Sequence, residues 1–436
     1  MRDNYDVVRL KDISLRIFSG ITPKSGGDAY TQSEKGVLFI KSGSLSSYGT
    51  LSYDKQSRIK DSIHNGLMKS SQLQKNDVLI AIVGATIGKV GLFDLDEEAN
   101  INQAIAAVRL KDAIIPEFLI CYLISPIGQT YLDYLKRPVA RANINLQEIG
   151  EIEIPLLTVK KQQELVNEYK NMLYVRNEKI KKADNLIAIS KKQLFESLGI
   201  DLPPFVPTIF SCVKSKELLS TGWYCNSHSF YLDDVFRRIK ESSYYAGTLE
   251  DYAYINPSIN KSSLTDSTPV SFVPMNAVSE KTNSATYELT EYSNVKTGFT
   301  PFQKNDLLWA KITPCMQNGK SFFADNLPTQ YGFASTEFHV IRAKREDIYM
   351  PFLWCILSND SILEAAQGMF SGSAGQQRVS ETFLKKLPIA LPSIEIQKEL
   401  ADNVMNALKK SKKLRNEAEQ DWIAAKAQFE KDLLGE

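Results

Sequence analysis

Two patterns of hydrophobic and polar residues alternate along this chain. In residues 1–157, short runs of β-branched and aromatic residues are separated by Gly-rich turns, which predicts strands. From 159 to 198 there is neither Pro nor Gly, and a seam of alternating three- and four-residue steps is apolar except at Arg176 and Ser190, which predicts one long helix. Both patterns then occur again, so the predicted order is globule, long helix, globule, long helix.

Each mixed region contains several strand candidates bounded by turn signals. A short helix is also predicted over 116–123, because it begins at a proline and continues as an apolar run. The predicted strands cover 37–40, 78–83 and 101–110 in the first region, and 270–274, 307–312 and 337–341 in the second.

Both predicted long helices have an apolar seam that neither can bury alone. Thr158 is a candidate N-cap of the first and Gly199 a candidate C-cap. Forty residues of helix span about 60 Å at 1.5 Å per residue. Packing the helices as an antiparallel pair would bury both seams and relate the globules by a pseudo-twofold axis. The alternative is that each helix folds onto its own globule. The seams are Val166, Tyr169, Leu173, Ile180, Ala183, Ile187 and Leu194, and Leu400, Val404, Ala407, Leu414, Ala418, Ala425 and Phe429.

The two halves also share sequence, which indicates a duplicated module. QKNDVLIA begins at Gln74 and QKNDLLWA at Gln303. Four matched segments follow the same order at nearly constant separation, and both helices carry the triplet RNE. In each copy QKND is predicted to be the turn that leads into a core strand. The matched positions are Phe39-Ile40 and Phe272-Val273, Gln74 to Asp77 and Gln303 to Asp306, Phe118-Leu119 and Phe352-Leu353, and Gln162 and Gln397.

Composition sets only loose bounds on function. The 436 residues allow two to three domains, and 43% hydrophobic and 24% charged residues are ordinary for a soluble protein. A net charge of +1 gives no overall field that attracts polyanions, although local basic loops could still bind DNA. The five cysteines form no CxxC pair, and Cys121 and Cys355 lie in apolar runs, which indicates buried free thiols and fits the cytoplasm. No signal peptide or membrane-spanning run is expected.

A catalytic site is not expected in this chain. Its three histidines are far apart in sequence, no HExxH or GxSxG occurs, and His339 is expected to be packed rather than a metal ligand. The loop at 84–89, GATIGK, has one residue too few for a phosphate-binding loop and lacks the Ser or Thr that binds magnesium. It is expected to be a tight turn between strands, with contact to a DNA phosphate through its amides and Lys89 as the alternative.

Several segments together resemble the specificity subunits of type I restriction-modification systems. DVLIAIVGATIGKVG, NINQAIA and EIPLLTVKKQQELV are similar to the first half of such a subunit. DLLWAKITPCMQNGK, STEFHVIR and SGSAGQQRVSETFLKKLPIALPSIEIQKEL are similar to the second half. Thr158 and Lys160 depart from the more usual proline- and acid-rich entry to the first helix.

This resemblance implies an α+β fold with two α/β target-recognition globules and two long helices packed as an antiparallel coiled coil. The domains would be a first recognition domain at 1–157, a central spacer helix at 158–199, a second recognition domain at 200–392 and a C-terminal spacer helix at 393–436. The subunit would read a bipartite double-stranded DNA target with an unspecified gap. It would assemble with two DNA adenine methyltransferase subunits, with restriction subunits as further candidate partners. No cofactor is expected in this chain, since S-adenosylmethionine, ATP and magnesium would be held by partners.

Candidate DNA-binding residues are polar or basic side chains in loops that follow strands. Arg suits guanine, and Asn or Gln suits adenine, in bidentate geometry. For each Lys the alternative is a solvated surface charge, and Lys41 could instead be structural. The candidates are Lys24, Ser25, Lys41, Thr86, Lys89, Arg137, Arg141 and Asn143 in the first globule, and Lys311, Thr313, Gln317, Asn318, Lys320, Gln376, Gln377 and Arg378 in the second.

Three other functions are compatible with these patterns. One is a specificity subunit from another methylation-based defence system. Another is a coiled-coil scaffold whose globules bind proteins. The third is an enzyme with a phosphate site at 84–89.

Overall fold

A computed structural model describes residues 6–24, 27–33, 35–54, 56–136, 142–206, 227–280, 282–373 and 375–435. The chain divides into two compact units. Unit 1 comprises residues 1–181 and 414–436, and unit 2 comprises residues 182–413. Two helices, α5 (Val159–Ser197) and α12 (Ile394–Leu434), each contribute one part to each unit.

Unit 1 is built from ten strands and four shorter helices in its described part. The apolar runs predicted at 37–40 and 78–83 lie in central strands of its sheets, where both faces are covered and alternation is lost. The helices are α1 (Asp61–Asn65), α2 (Pro116–Ile124), α3 (Pro126–Leu135) and α4 (Leu146–Gly150). The strands are β1 (Val7–Arg9), β2 (Ser14–Ser19), β3 (Tyr30–Thr31), β4 (Val37–Ile40), β5 (Ser57–Ile59), β6 (Val78–Ala81), β7 (Val90–Leu92), β8 (Ala99–Ile101), β9 (Ile105–Leu110) and β10 (Glu153–Pro155).

Two four-stranded sheets form the frame of unit 1. One has the order β2-β9-β6-β7 and the other β3-β5-β4-β8, while β1 and β10 form a separate pair. All pairs are antiparallel except β4 and β8, where Leu38 lies opposite Ala99. Helix α2 is buried over most of its length and packs against β6 and β7. The core therefore lies between the first sheet and its helices.

Unit 2 is likewise built from short strands and helices, and it includes elements without a counterpart in the described part of unit 1, such as the helix Ser227–Lys240 and the strand pair 370–371 and 378–379. Its helices are α6 (Ser227–Lys240), α7 (Leu249–Tyr252), α8 (Tyr292–Val295), α9 (Met350–Leu357), α10 (Asp360–Ala366) and α11 (Glu381–Lys386). Its strands are β11 (Tyr245–Thr248), β12 (Ala253–Ile255), β13 (Pro269–Val273), β14 (Glu288–Glu291), β15 (Thr300–Gln303), β16 (Leu307–Ala310), β17 (Ser321–Phe323), β18 (Tyr331–Ala334), β19 (Phe338–Ala343), β20 (Phe370–Ser371), β21 (Arg378–Val379) and β22 (Pro388–Ala390).

The two main sheets of unit 2 have the orders β12-β19-β16-β17 and β14-β13-β18-β15. Only β13 and β18 pair in parallel, with Ser271 opposite Gly332. Strands β11 with β22 and β20 with β21 form two-stranded pairs. The central position of β16 between β19 and β17 corresponds to that of β6 between β9 and β7 in unit 1.

The QKND segments form the same buried turn in both units. Asn76 and Asn305 have φ values of 74° and 71°, a left-handed conformation that Asn tolerates better than most residues. The following aspartates are fully buried, and each accepts a backbone N–H from the glutamine three residues earlier at 2.8 Å. Each also forms a two-point ion pair with an arginine of the neighbouring strand, Asp77 with Arg109 and Asp306 with Arg342. QKND is therefore the turn before a core strand, as predicted.

Each long helix is joined to the unit at its start by one buried glutamine. The Gln162 side chain accepts the Ile115 N–H and donates to two backbone carbonyls. Gln397 makes the same three bonds, accepting the Tyr349 N–H. A single amide thus connects the helix start, the preceding loop and the start of α2 or α9.

Within unit 1, the first part of α5 contacts the last part of α12. The Tyr169 and Trp422 rings meet edge to face at 5.5 Å, and Lys179 pairs with Asp421 at 2.5 Å. The Tyr48 ring also contacts Trp422, and the Arg176 guanidinium lies over the Tyr48 ring, 3.5 Å from the centre of that ring. The long helices are therefore part of the core of this unit.

The caps of α5 agree with the sequence. The Thr158 hydroxyl accepts the Lys161 N–H at 3.3 Å, as an N-cap does. Gly199 adopts φ +69°, a conformation that favours glycine after a helix. The predicted strand over 101–110 was wrong in one respect, because a turn at 102–104 divides it. The Asn102 N–H donates to the Ile40 carbonyl, and the Ile105 N–H donates to the Asn102 carbonyl, which closes the turn between β8 and β9.

Other sequence-based expectations concern burial and membrane association. The free thiols of Cys121 and Cys355 are buried, as predicted, whereas Cys212 and Cys225 lie outside the described residues. Within the ranges given above, no helix has the length and apolarity needed to cross a bilayer.

Candidate functional site

In unit 2, backbone hydrogen bonds join the loop after β16 to two other segments, one at Glu337 and one at residues 377–379. The Lys311 N–H donates to the Glu337 carbonyl, and the Lys311 carbonyl accepts the Val379 N–H, both at 2.9 Å. The Thr313 N–H then donates to the Gln377 carbonyl, and the Gln377 N–H donates back to the Thr313 hydroxyl. Four sequence candidates, Lys311, Thr313, Gln377 and Arg378, are therefore brought into one cluster.

The Arg378 side chain makes three hydrogen bonds in this cluster. Its Nε and Nη2 donate to the two carboxylate oxygens of Glu337 at 2.9 and 2.8 Å, and Nη1 donates to the Gln376 carbonyl at 2.9 Å. The hydrogen bonds from Arg378 hold the pKa of the Glu337 carboxyl below its usual value. The side chain of Arg378 is nevertheless 42% exposed, so the protein covers it only in part.

A buried histidine, His339, packs next to this cluster and contacts the backbone of Val379, the residue after Arg378. One ring nitrogen of His339 lies 2.9 Å from the Val379 carbonyl, and the other lies 3.2 Å from the Asn256 amide nitrogen. That amide also donates to Glu381, which accepts a hydrogen bond from Lys385. Burial lowers the pKa of His339, so the neutral ring is favoured. His339 is thus a packed, hydrogen-bonded residue, as expected from the sequence.

The turn after this loop holds three more candidates whose side chains already have protein partners. Gln317 donates to Gln367 at 2.7 Å, Asn318 donates to Glu280 at 2.9 Å, and Lys320 donates to the Met275 carbonyl at 3.2 Å. Gln317 and Asn318 are exposed, and Lys320 is half-buried. Their contacts hold the turn against neighbouring segments.

Unit 1 places its loop after β6 in the equivalent position. Val83 forms a bridge with Asn143, in the way that Ile312 does with Arg378. The Thr86 hydroxyl donates to the Val83 carbonyl, and the chain then turns into β7 after Lys89. Thr86, Lys89 and Asn143 therefore share one edge of unit 1.

The segment 84–89 begins with a 3-10 turn, Gly84–Thr86, and joins two antiparallel strands, as the sequence suggested. No helix follows it, so it lacks the strand-loop-helix context that a phosphate-binding loop needs. Among the described residues, no group of three or more His, Cys, Asp or Glu side chains is arranged to hold a metal ion.

Of the remaining candidates of unit 1, Lys24 and Lys41 are not brought to this edge by any described contact. Lys24 is exposed in the loop after β2. Lys41 donates to the Ser57 hydroxyl at 2.8 Å and lies near the Tyr30 and Phe39 rings, which fits the structural alternative. Ser25, Arg137 and Arg141 lie outside the described residues.

The loop edges of the two units differ in chemistry. The strand register places Ala104 of unit 1 where unit 2 has Glu337, and the bridges place Asn143 where unit 2 has Arg378. Sequence reasoning missed Glu337 and Asn256 as parts of the site. An acidic residue just before a buried strand, in STEFHVIR, was the available signal for Glu337.

Comparison with known proteins identifies what this arrangement is similar to. The model of the type I restriction modification DNA specificity domain matches twice, at residues 2–187 and 230–420. The specificity subunits of the Escherichia coli type I restriction enzymes EcoAI and EcoEI are both 34% identical, over 35% and 33% of this chain. Those alignments span only about a quarter of each relative, 26% and 24% of their lengths.

The fold has also been seen in a solved structure. A chain from a study of complex assembly and conformational transition of the type I R-M system aligns with 99% of this chain and 97% of its own length. Its TM-score is 0.52 at 14% sequence identity, which supports the fold alone. Because the family model covers most of the sequence in two copies, this chain belongs to the family of type I restriction-modification DNA specificity proteins.

Proposed function

We propose that this chain is the non-catalytic DNA specificity subunit of a type I restriction-modification complex. Each unit would read one part of a bipartite, gapped target. The observation that carries this proposal is the matched loop edge, where Val83 meets Asn143 and Ile312 meets Arg378. A common frame with different side chains at matched points suits the reading of two different half-sites.

The residues proposed to contact DNA are those predicted from the sequence. In unit 2 the clustering of Lys311, Thr313, Gln377 and Arg378 supports this assignment. Hydrogen-bonding side chains would contact base edges, and lysines would contact phosphates. The full set is Lys24, Ser25, Lys41, Thr86, Lys89, Arg137, Arg141 and Asn143, with Lys311, Thr313, Gln317, Asn318, Lys320, Gln376, Gln377 and Arg378.

The two long helices would pack as an antiparallel coiled coil, completing a pseudo-twofold repeat, and dock two DNA adenine methyltransferase subunits. Contacts of Tyr169 with Trp422 and of Arg176 with Glu419, within unit 1, are consistent with antiparallel packing. Tyr174 is 64% exposed and Ile423 50% exposed on these helices, and exposed apolar residues suit a protein partner. S-adenosylmethionine, and ATP with magnesium where restriction subunits join, would be bound by the partners.

Methylome sequencing of cells with and without this gene tests the proposal. We expect adenine methylation at one gapped motif to disappear when the gene is deleted and to return when it is restored. An unchanged methylome would contradict the proposal and favour a protein-binding scaffold. The purified chain should neither transfer methyl groups nor hydrolyse ATP, and either activity would also contradict it.

A triple variant in which Gln376, Gln377 and Arg378 are all replaced by alanine tests whether unit 2 reads only one of the two half-sites. We expect altered selectivity in one half-site only. The matched control is Asn143→Ala in unit 1, which should alter the other half-site. Equal loss in both half-sites with the triple variant would mean that these residues maintain folding or assembly.

A further inference from the structure

The ion pair between Arg378 and Glu337 leaves one edge of the guanidinium available. A guanidinium has five N–H groups. Three are used, two on Glu337 and one on the Gln376 carbonyl. One N–H remains on each of Nη1 and Nη2, the two terminal nitrogens. Two N–H donors on the terminal nitrogens of one guanidinium are the complement of the N7 and O6 acceptors that guanine presents in the major groove.

The backbone beneath Arg378 is held from three directions. It pairs with Ser371 in β20, forms a bridge with Ile312, and is followed by Val379, whose carbonyl lies 2.9 Å from a ring nitrogen of the buried His339. A side chain on such a base loses little conformational freedom when it binds. The position and the plane of the guanidinium are therefore both set before a ligand arrives.

Glu337 is itself fixed at the start of a buried strand. Its N–H donates to the Ser335 hydroxyl, and its carbonyl accepts the Lys311 N–H. Its side chain is only 23% exposed, and both carboxylate oxygens accept from Arg378. This occupancy disfavours the alternative that Glu337 accepts a hydrogen bond from the cytosine amino group.

We propose that Arg378, oriented by Glu337, reads a guanine in the half-site bound by unit 2. Arg378 contacts the base, and Glu337 is a positioning residue that acts through Arg378. This inference rests on the proposed function and adds to it the identity of one target base. At the matched positions unit 1 has Ala104 and Asn143, which cannot form such an ion pair.

The first test compares methylomes of cells that express the methyltransferase subunits with the normal chain, Arg378→Ala, Arg378→Lys or Glu337→Gln. With Arg378→Ala we expect selectivity for guanine at one position of one half-site to fall about 5- to 150-fold, the range for one bidentate contact. Arg378→Lys keeps the positive charge but loses the two parallel N–H donors of the guanidinium, so selectivity for guanine at the same position should also fall. Glu337→Gln should lower selectivity for guanine at that position by less, because the guanidinium remains and only its orientation is held less firmly.

A second measurement probes the atoms involved. Duplexes carrying 7-deazaguanine at that position lack the N7 acceptor but still pair normally. The complex with the normal chain should bind this duplex more weakly than the guanine duplex, whereas the Arg378→Ala complex should not distinguish them. Arg345→Ala is the matched control, because it removes an exposed arginine that also pairs with an acidic residue of unit 2, Asp347, and it should change neither result.

The outcomes separate this inference from the proposed function. If the normal chain confers a motif and all three variants leave every position unchanged, the inference is overturned and the proposed function stands. Relaxed selectivity at many positions would also overturn it, because the pair would then maintain the loop. If Arg378→Ala fails to fold, the methylomes of the Arg378→Lys and Glu337→Gln variants decide whether the inference holds. If the normal chain confers no motif, the proposed function fails and the inference with it.

Discussion

The buried ion pair of the second QKND turn predicts a large and specific loss of stability. Asp306 is fully buried and accepts two N–H groups of Arg342, both at 2.7 Å, and the Gln303 N–H at 2.8 Å. Asp306→Ala leaves Arg342, whose side chain is only 20% exposed, without its carboxylate partner, and it removes the acceptor of the Gln303 backbone N–H.

The expected cost follows from this geometry. Removing one partner of a buried ion pair typically destabilises a protein by about 3–5 kcal/mol. Because Arg342 keeps some solvent access and a hydrogen bond to the Ser258 carbonyl, we expect about 3 kcal/mol. For a unit of this size, that corresponds to a decrease of about 6–12 °C in the melting temperature.

Scanning calorimetry of the full chain is the assay. Asp306→Ala should lower the transition of unit 2, and the matched variant Asp77→Ala should lower that of unit 1. Lys304→Ala, on the exposed side of the same turn, should change stability by less than about 0.5 kcal/mol. Replacing Asp306 with Leu and Arg342 with Met together should recover most of the loss, because no charge is then left buried. A shift below about 2 °C for Asp306→Ala would refute the reasoning.

Three further predictions concern packing and pH. Trp422→Ala should destabilise unit 1 by about 3–5 kcal/mol in urea unfolding, because this buried ring packs against Tyr48 and Tyr169, whereas a cost below about 1 kcal/mol would contradict that packing. Gly332→Ala should cost about 1–3 kcal/mol, since its Cβ would lie 2.3 Å from the Phe302 ring, while Gly43→Ala, with open space around it, should be nearly neutral by the same assay. Because burial lowers the folded-state pKa of His339, the unfolded chain takes up its proton first as the pH falls. The stability contributed by His339 is therefore present above about pH 6.5 and lost below it, so His339→Gln should flatten a pH series of unfolding between pH 7 and 5, and an unchanged slope would contradict this.

The long helices and the core strands could be predicted because their signals are local. Helix α5 needs only the absence of Pro and Gly and a regular apolar seam, and its caps at Thr158 and Gly199 lie in adjacent sequence. The runs VLIA and LLWA are apolar throughout, as expected for strands covered on both faces. The division of 101–110 into β8 and β9 was not predicted, because β8 pairs with the distant strand β4 whereas β9 pairs with β2 and β6.

The candidate site was only partly predictable for the same reason. Polar residues in loops after strands were found by position, and Lys311, Thr313, Gln377 and Arg378 do cluster. Lys41 makes a local hydrogen bond to the Ser57 hydroxyl and is not part of that cluster. No sequence pattern separates these cases, because a lysine in a loop has the same local signature whether or not it faces a shared edge.

The sequence by itself determined the duplicated frame, the two long helices and the family resemblance, since repeats, periodicity and motifs are read from neighbouring residues. Only the tertiary structure decided that Glu337 meets Arg378, which is 41 positions away along the chain. That contact depends on the register of β16 against β19 and on the bridge from Ile312 to Arg378. Strand register is set by packing across the whole sheet, so which side chains meet at the loop edge is a property of the folded unit.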